Sequence, residues 1–274
     1  MKQIEIAASY SGTISSGKYE NEKPFFSLKE TYDNVEDKDF AEKRLKELAN
    51  ICRGKFEEIE KRSQIEKLVK IREDLRFYDI GSLQYPSVTS IISWDKDFFI
   101  DPIDLKQYAA RGTIIHKQVE RFLLTQQWPN PKEIPEIYPE YVIVTKGALN
   151  LSLDDVDFRG FYEKYPFIAS IHEQTVYNTE HLYAGRYDIK GKYNGKITIF
   201  DVKTTGSVNK TECMKQLSAY AHCEGNEDVE QLCLIHLNKK TKQGFSAPII
   251  EENVEKYWHL FLDDRKKFKQ RFGV

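Results

Sequence analysis

Two aspartates, Asp188 and Asp201, carry the most chemical information in this chain of 274 residues. They flank Asn194-Gly195, a dipeptide that is the strongest short hairpin signal between two alternating runs, because both residues accept the positive φ of a type I′ turn. With those residues as the turn, Tyr193 faces Lys196, Ile189 faces Phe200 and Tyr187 faces Val202, an apolar face that belongs in a core. On the other face Asp188 falls opposite Asp201. Opposed positions hold Cβ atoms about 4.5–5.5 Å apart, where like charges repel. A half-buried sheet keeps such a pair for a bound cation or a shared proton. Lys203 follows Asp201 by two residues, so period-two alternation brings its amine to the same face. Two carboxylates and a lysine make a divalent-cation site beside a cationic group. Such a site suits phosphodiester hydrolysis, in which the metal polarises the phosphate and lowers the pKa of its bound water while the lysine orients that water or stabilises developing charge. The competing reading leaves both aspartates exposed and satisfied by Arg186, Lys190 and Lys203.

Further residues join this pair. His116 and Glu120 lie four apart on one face of an amphipathic helix expected over residues 112–124, and a neutral imidazole is a competent metal ligand. Alone, His116 reads as an ordinary polar-face histidine. Glu173 precedes a four-residue turn, Asn178 to His181, in whose register it faces Arg186 on the carboxylate side; it either assists a metal or pairs with Arg186. Gln216 and Tyr220 share a helix face at i, i+4, as a contact to a nucleic-acid strand or as a polar edge. Tyr85-Pro86-Ser87-Val88-Thr89 reads as a turn into a helix, with Ser87 as N-cap.

Several elements must position these groups. Strands are expected over residues 167–177, 183–193, 196–204 and 229–237, with helices over 209–223 and from about Asn253, so the order from residue 112 is αβββαβ. Residues 129–166 hold several prolines and resist assignment. Residues 2–14 read as a strand and turn. Residues 39–77 repeat Leu45, Leu48, Cys52, Phe56 and Ile59 at helical steps, as one long helix or a helical hairpin with weak points at Gly54 and Arg62-Ser63. The domain reading is an accessory region of strand plus charged helices at 1–78, then a catalytic domain at 79–274.

Composition sets limits. Lys+Arg 41 against Asp+Glu 43 leaves a net charge of -2, which excludes a strongly basic nucleic-acid coat protein and an acidic disordered tail but permits a local basic groove. Candidates for that groove are Lys203, Lys210, Lys215 and Arg265-Lys266-Lys267. No apolar run reaches the roughly 18 residues of a membrane span, and the N-terminus lacks the apolar stretch of a signal peptide. Cys52, Cys213, Cys223 and Cys233 fit neither CxxC metal spacing nor a disulfide framework, which points to free thiols in a reducing cytosol, bacterial or viral-host.

Gly112-x3-His116, Asp188 after Gly185-Arg186-Tyr187, Asp201-Val202-Lys203 and Gln216-x3-Tyr220 together resemble the PD-(D/E)xK nuclease superfamily. The pattern is similar to its RecB-like branch, which includes the mitochondrial genome maintenance exonucleases. Tyr85 to Ile92 resembles the segment preceding the core in that group, and the likeness covers about residues 84–238. It implies an α/β fold with a restriction-endonuclease-like αβββαβ core, a mixed central sheet flanked by helices. It also implies His116, Asp188, Asp201 and the Val202 carbonyl as metal ligands, Lys203 as the catalytic lysine with Asp201 and Asp188, and Glu173 and Glu120 in support. Gln216, Tyr220, Ser87 and Thr89 would lie beside the nucleic acid. The cofactor would be Mg²⁺, with Mn²⁺ able to substitute. Some relatives carry an iron–sulfur cluster, but the ten-residue spacing of the last three cysteines argues against one here.

The expectation is therefore a metal-dependent deoxyribonuclease acting on DNA that is single-stranded or has single-stranded ends, in replication, repair or recombination, alongside proteins of those processes and away from any membrane. The branch resemblance alone favours exonuclease over endonuclease. Alternatives are a structure-specific endonuclease, an inactive nuclease fold serving as a nucleic-acid-binding or assembly factor, and a hydrolase of another phosphoester. An abundance of Lys, Ile, Tyr and Phe suits an AT-rich microbial or viral (phage) genome.

Overall fold

The computed structural model describes residues 3–12, 14–15, 21–33, 38–72, 74–96, 100–149, 151–238 and 240–274; Lys2 and Thr13 of the expected first strand lie outside them. Contacts divide the chain into two units, Met1–Tyr85 with Lys269–Val274, and Pro86–Phe268. The boundary drawn from the sequence, at 78/79, falls a few residues earlier in the chain.

In the first unit, β1 (Gln3–Ser11) pairs antiparallel with β4 (Phe25–Asp33), while β2 (Ile14–Ser15) and β3 (Asn21–Glu22) pair between them. One continuous helix follows, α1 (Lys38–Ile71), so the hairpin alternative does not form. Gly54 does not break it, because a helix tolerates an isolated glycine at a cost of about 1 kcal/mol. Ile6 and Ala8 of β1 pack against Leu48 of α1, and the buried Cys52 thiol donates to the Ala8 carbonyl at 3.5 Å. Strand β4 escaped the sequence reading because its apolar residues fall on both faces. Phe25 and Leu28 are exposed while Phe26 is half-buried, which blurs a period of two. The hairpin of β5 (Phe77–Ile80) and β6 (Leu83–Pro86) turns at Gly81, whose φ of +61 suits glycine.

The second unit begins with α2 (Val88–Ser93) and α3 (Pro102–Thr125). Helix α3 starts well before the expected Gly112. Asp101 caps it by accepting the Ile103 N–H at 2.8 Å, and Pro102 at the first helical position supplies the helical φ. Three short helices, α4 (Ile134–Ile137), α5 (Tyr141–Lys146) and α6 (Phe158–Lys164), occupy the stretch that periodicity left unassigned. They are too short for a 3.6-residue repeat to show, and Gln107 of α3 secures the chain between them, donating to the Val144 carbonyl and accepting the Leu149 N–H.

Next come β7 (Ile168–Asn178), β8 (Tyr183–Tyr193), β9 (Lys196–Lys203), α7 (Lys210–Ala221), β10 (Gln231–His236), β11 (Ile249–Glu251) and α8 (Glu255–Phe272). They build a five-stranded mixed sheet of order β11-β10-β9-β8-β7. Only β9 and β10 pair parallel, and α7 is the crossover such a pair requires. Ile189, Phe200, Val202 and Ile235 join Ile115, Val119, Phe122, Phe158 and Phe161 of α3 and α6 in one core. Helix α7 packs on β9 and β10, and the Tyr183 hydroxyl donates to the Ala219 carbonyl beside the Phe261 ring of α8. The result is a mixed α/β unit. Among the described residues no helix is long and apolar enough to cross a membrane.

Candidate active site

The hairpin register expected from Asn194-Gly195 is present. Tyr193 pairs Lys196 and the ladder continues to Ile189↔Phe200, with Asn194 at φ 51 and Gly195 at φ 86. The ladder pairs end there, one step short of the two aspartates. Beyond that point the Asp188 side chain takes over a backbone role, its Oδ2 accepting the Val202 N–H at 2.6 Å. Its Oδ1 lies 3.3 Å from His116 Nδ1 on α3.

Strand β7 brings the third group. The turn between β7 and β8 leaves Asn178 paired with Tyr183, so the β7–β8 register differs by two residues from the one read in the sequence. Thr175, not Glu173, pairs Arg186, and Glu173 comes level with Asp188, between the His172↔Ile189 and Gln174↔Tyr187 pairs. The shift is even, so Glu173 keeps its face. Its φ is +48, in the left-handed region, and its Oε2 still reaches Arg186 Nε at 2.8 Å. One ligand atom each from His116, Glu173 and Asp188 lies within 4.8 Å of the others. Between them and Val202 is a void of about 10 Å³, lined also by Glu120 and His172. That is about the room of one water-sized particle. It shares His116, Glu120 and Glu173 with a cleft of about 340 Å³ that Gly112, Lys117 and Arg186 also line.

Asp201 stands outside the trio, a difference from the expected ligand set. It is buried, with Lys203 Nζ 3.0 Å from Oδ1 and 2.8 Å from Oδ2, yet only the Oδ1 approach has hydrogen-bond geometry. Oδ2 is left as a buried acceptor without a hydrogen bond. The Lys203 ammonium 2.8 Å away already offsets the charge on that oxygen. Carboxylates with one imidazole are a competent donor set for a divalent ion. By their donor chemistry and spacing, His116, Glu173 and Asp188 could hold a metal ion.

Electrostatics follow from burial. Burial opposes the charged form of His116, but the Asp188 carboxylate, with Asp201 and Glu173, outweighs it and raises the imidazole pKa to about 8. Burial likewise opposes the Asp188 anion, yet His116 and the Val202 N–H hold it below the usual carboxylate range. Asp201 is pushed up by burial and by Asp188 despite Lys203, and Glu173 by burial and Asp188 despite Arg186. Lys203 would be pushed down by burial, but Asp201 raises it, so its ammonium persists.

Two expected nucleic-acid contacts are corrected. Ser87 is buried: its hydroxyl accepts the Ser90 N–H at 3.0 Å and donates to Ser90 Oγ at 2.9 Å, capping α2 as the sequence reading also proposed. Tyr220 is buried beneath Gly185, where a Cβ would come within 2.4 Å of its ring. Its hydroxyl accepts from Gln216 Nε2 at 2.8 Å, and Gln216 Oε1 accepts from Lys203 at 3.1 Å. Gln216 thus holds the lysine instead of projecting outward. Thr89 is exposed on α2. Sequence reasoning missed His172, whose Nδ1 is buried without a hydrogen bond beside the void; as a lone histidine in a strand it gave no signal. The four cysteines are buried and unbridged, with burial pushing the Cys213 thiol up to about 11 and those of Cys223 and Cys233 up to about 12.

No protein-family model and no curated protein matches the chain. A solved structure titled "Crystal structure of SSO0001" is similar at a TM-score of 0.29 and 12% identity, over 68% of this chain and 86% of that one, a likeness too slight to argue from.

Proposed function

We propose that this protein is a metal-dependent deoxyribonuclease, its second unit a restriction-endonuclease-like core of the PD-(D/E)xK kind, degrading DNA from single-stranded ends. The carrying observation is the meeting of His116, Glu173 and Asp188 around a void of one ion's size, with the Lys203–Asp201 pair on the neighbouring strand. His116, Asp188, Glu173 and Asp201 would hold Mg²⁺ or Mn²⁺, which would polarise a phosphate and lower the pKa of bound water. Lys203 supplies a fixed positive charge for the developing negative charge at phosphorus, and Gln216 keeps its ammonium aimed. His116 would have to be neutral to ligate, and Arg186 and Lys117, exposed along the adjoining cleft though paired with Glu173 and Glu140, would turn positive charge toward an approaching backbone. The proposed setting is the cytosol of a bacterium or of a virus-infected cell, where buried unbridged thiols stay reduced.

A second reading has its own support. The pairs Asp188–His116, Glu173–Arg186 and Asp201–Lys203 partly neutralise these three carboxylates without an ion, as an inactive nuclease fold that only binds nucleic acid would require. End-labelled linear and closed circular single strands, incubated with Mg²⁺ or Mn²⁺, separate the readings. We expect degradation of the linear strand only, abolished in Asp188→Asn. Circles cut as fast as linear strands indicate an endonuclease. Binding without any cleavage supports the inactive fold, and cleavage unchanged in Asp188→Asn sinks the site assignment.

A further inference from the structure

We propose that an apolar cleft beside the metal cluster, along the same helix, binds an unpaired nucleobase of the strand being cut, with Tyr108 as its stacking face. The inference rests on the nuclease reading and adds a base subsite to it. Helix α3 presents Asp104, Tyr108, Gly112, His116 and Glu120 in steps of four, a ridge that winds around the helix by about 40° per step, so that each residue borders the next. Its second half lines the cleft at the cluster. Its first half lines another, of about 680 Å³, with Ile100, Leu105, Leu151, Thr204 and Thr205. Gly112 stands at the joint, where a Cβ would meet only Thr204 Oγ1 at 3.6 Å, and Thr204 follows Lys203 directly. Tyr108 and His116 are about 12 Å apart along the helix axis, a span of a few nucleotides.

The cleft's chemistry suits a base. Ile100, Leu105 and Tyr108 are 44%, 46% and 47% exposed, large apolar side chains left facing water. The charged residues of its wall are Asp101, Asp104 and Arg111. The Arg111 guanidinium is committed, donating to the Ser152 carbonyl at 2.7 Å and the Thr204 carbonyl at 3.0 Å and pairing with Asp155. Asp101 caps α3, and Asp104 repels an anion. An uncharged planar ring finds aliphatic walls and an aromatic face there, with the Arg111 guanidinium committed and the Lys240 ammonium at the Gly206 end of the cleft. Base–aromatic stacking tolerates any sequence, since every base has a π-face. A paired base must leave its helix to enter, at an energetic cost, so the cleft favours single strands.

The test is a fluorescence-anisotropy titration of the full chain with a short single-stranded oligonucleotide in Ca²⁺. Tyr108→Ala is expected to raise Kd about tenfold or more, and Tyr108→Phe to leave it within about twofold. An oligonucleotide scanned with single abasic positions should lose a similar factor at one position in the native protein and nothing further there in Tyr108→Ala. Unchanged affinity in Tyr108→Ala, a flat abasic scan or no binding at all overturns the base subsite. Cleavage assays keep the two ideas apart. Tyr108-dependent binding without metal-dependent cleavage overturns the nuclease reading and leaves the cleft standing; cleavage with Tyr108-independent binding does the reverse.

Discussion

Asp188 Oδ2 accepts the backbone N–H of Val202 at 2.6 Å just past the last ladder pair between β8 and β9. A side chain thus supplies an acceptor that strand pairing would otherwise provide. A carboxylate accepting a main-chain N–H makes a charge-assisted hydrogen bond, stronger than the neutral one it replaces. The same carboxylate turns its other oxygen to His116, while Asp201 turns to Lys203. The two acids that would repel as an opposed pair each gain a cationic neighbour.

His116 sets a pH dependence. Its folded pKa of about 8 exceeds the ordinary 6.5, so between those values the metal-free folded state binds more protons than the unfolded chain. The stabilisation is full below pH 6.5 and is lost as pH rises through about 8. Its size is on the order of 2 kcal/mol at most. Urea denaturation of the metal-free protein from pH 6 to 9 should show this loss in the native chain and not in His116→Gln. In the presence of Mn²⁺ the trend opposes itself, because the ion competes with the proton and binds more tightly as pH rises toward 8. Parallel curves for the two chains would discard the His116–Asp188 pairing.

Lys203→Met leaves the buried Asp201 without its counter-charge. Removing one partner of a buried pair costs about 3–5 kcal/mol. Thermal denaturation should show a clearly lower Tm in the metal-free variant, partly recovered by Mg²⁺ or Mn²⁺, with turnover down by two orders of magnitude or more. A variant whose Tm neither falls nor responds to the ions would show that Asp201 needs no cation.

Gly185→Ala and Gly112→Ala should have opposite effects. At Gly185 the new methyl would lie 2.4 Å from the Tyr220 ring, which is buried and held by Gln216. Overpacking of this kind costs about 1–3 kcal/mol, and the displaced Tyr220 should loosen Gln216 and lower activity as well. Gly112 lies inside α3 with its nearest obstacle at 3.6 Å, so alanine there should raise stability by up to about 1 kcal/mol. Chemical denaturation of both variants checks the pair; equal destabilisation would contradict the packing described.

Much of the site was legible because its determinants are local. Asn194-Gly195 admits one turn geometry, and period-two parity then places Asp188, Asp201 and Lys203 relative to the core residues Ile189, Phe200 and Val202. The strands at 183–193 and 196–203, helix α7 and buried β10 follow from patterns a few residues long. Charge balance and the absence of a long apolar run were equally plain.

Tertiary structure decided which groups face one another. Parity survives a two-residue slip, so the sequence placed Glu173 on its face, but only the folded β7–β8 register brought it level with Asp188. Tyr220 has the spacing of a surface contact, yet its burial depends on a glycine 35 positions earlier. Asp201 could turn to an ion, to Asp188 or to Lys203, and the packing of α7, through Gln216, holds the lysine beside it. The physical reason is common to all three. Backbone preference and alternation act over a few residues, whereas a side chain's partner depends on atoms that only the closed fold brings within 3 or 4 Å.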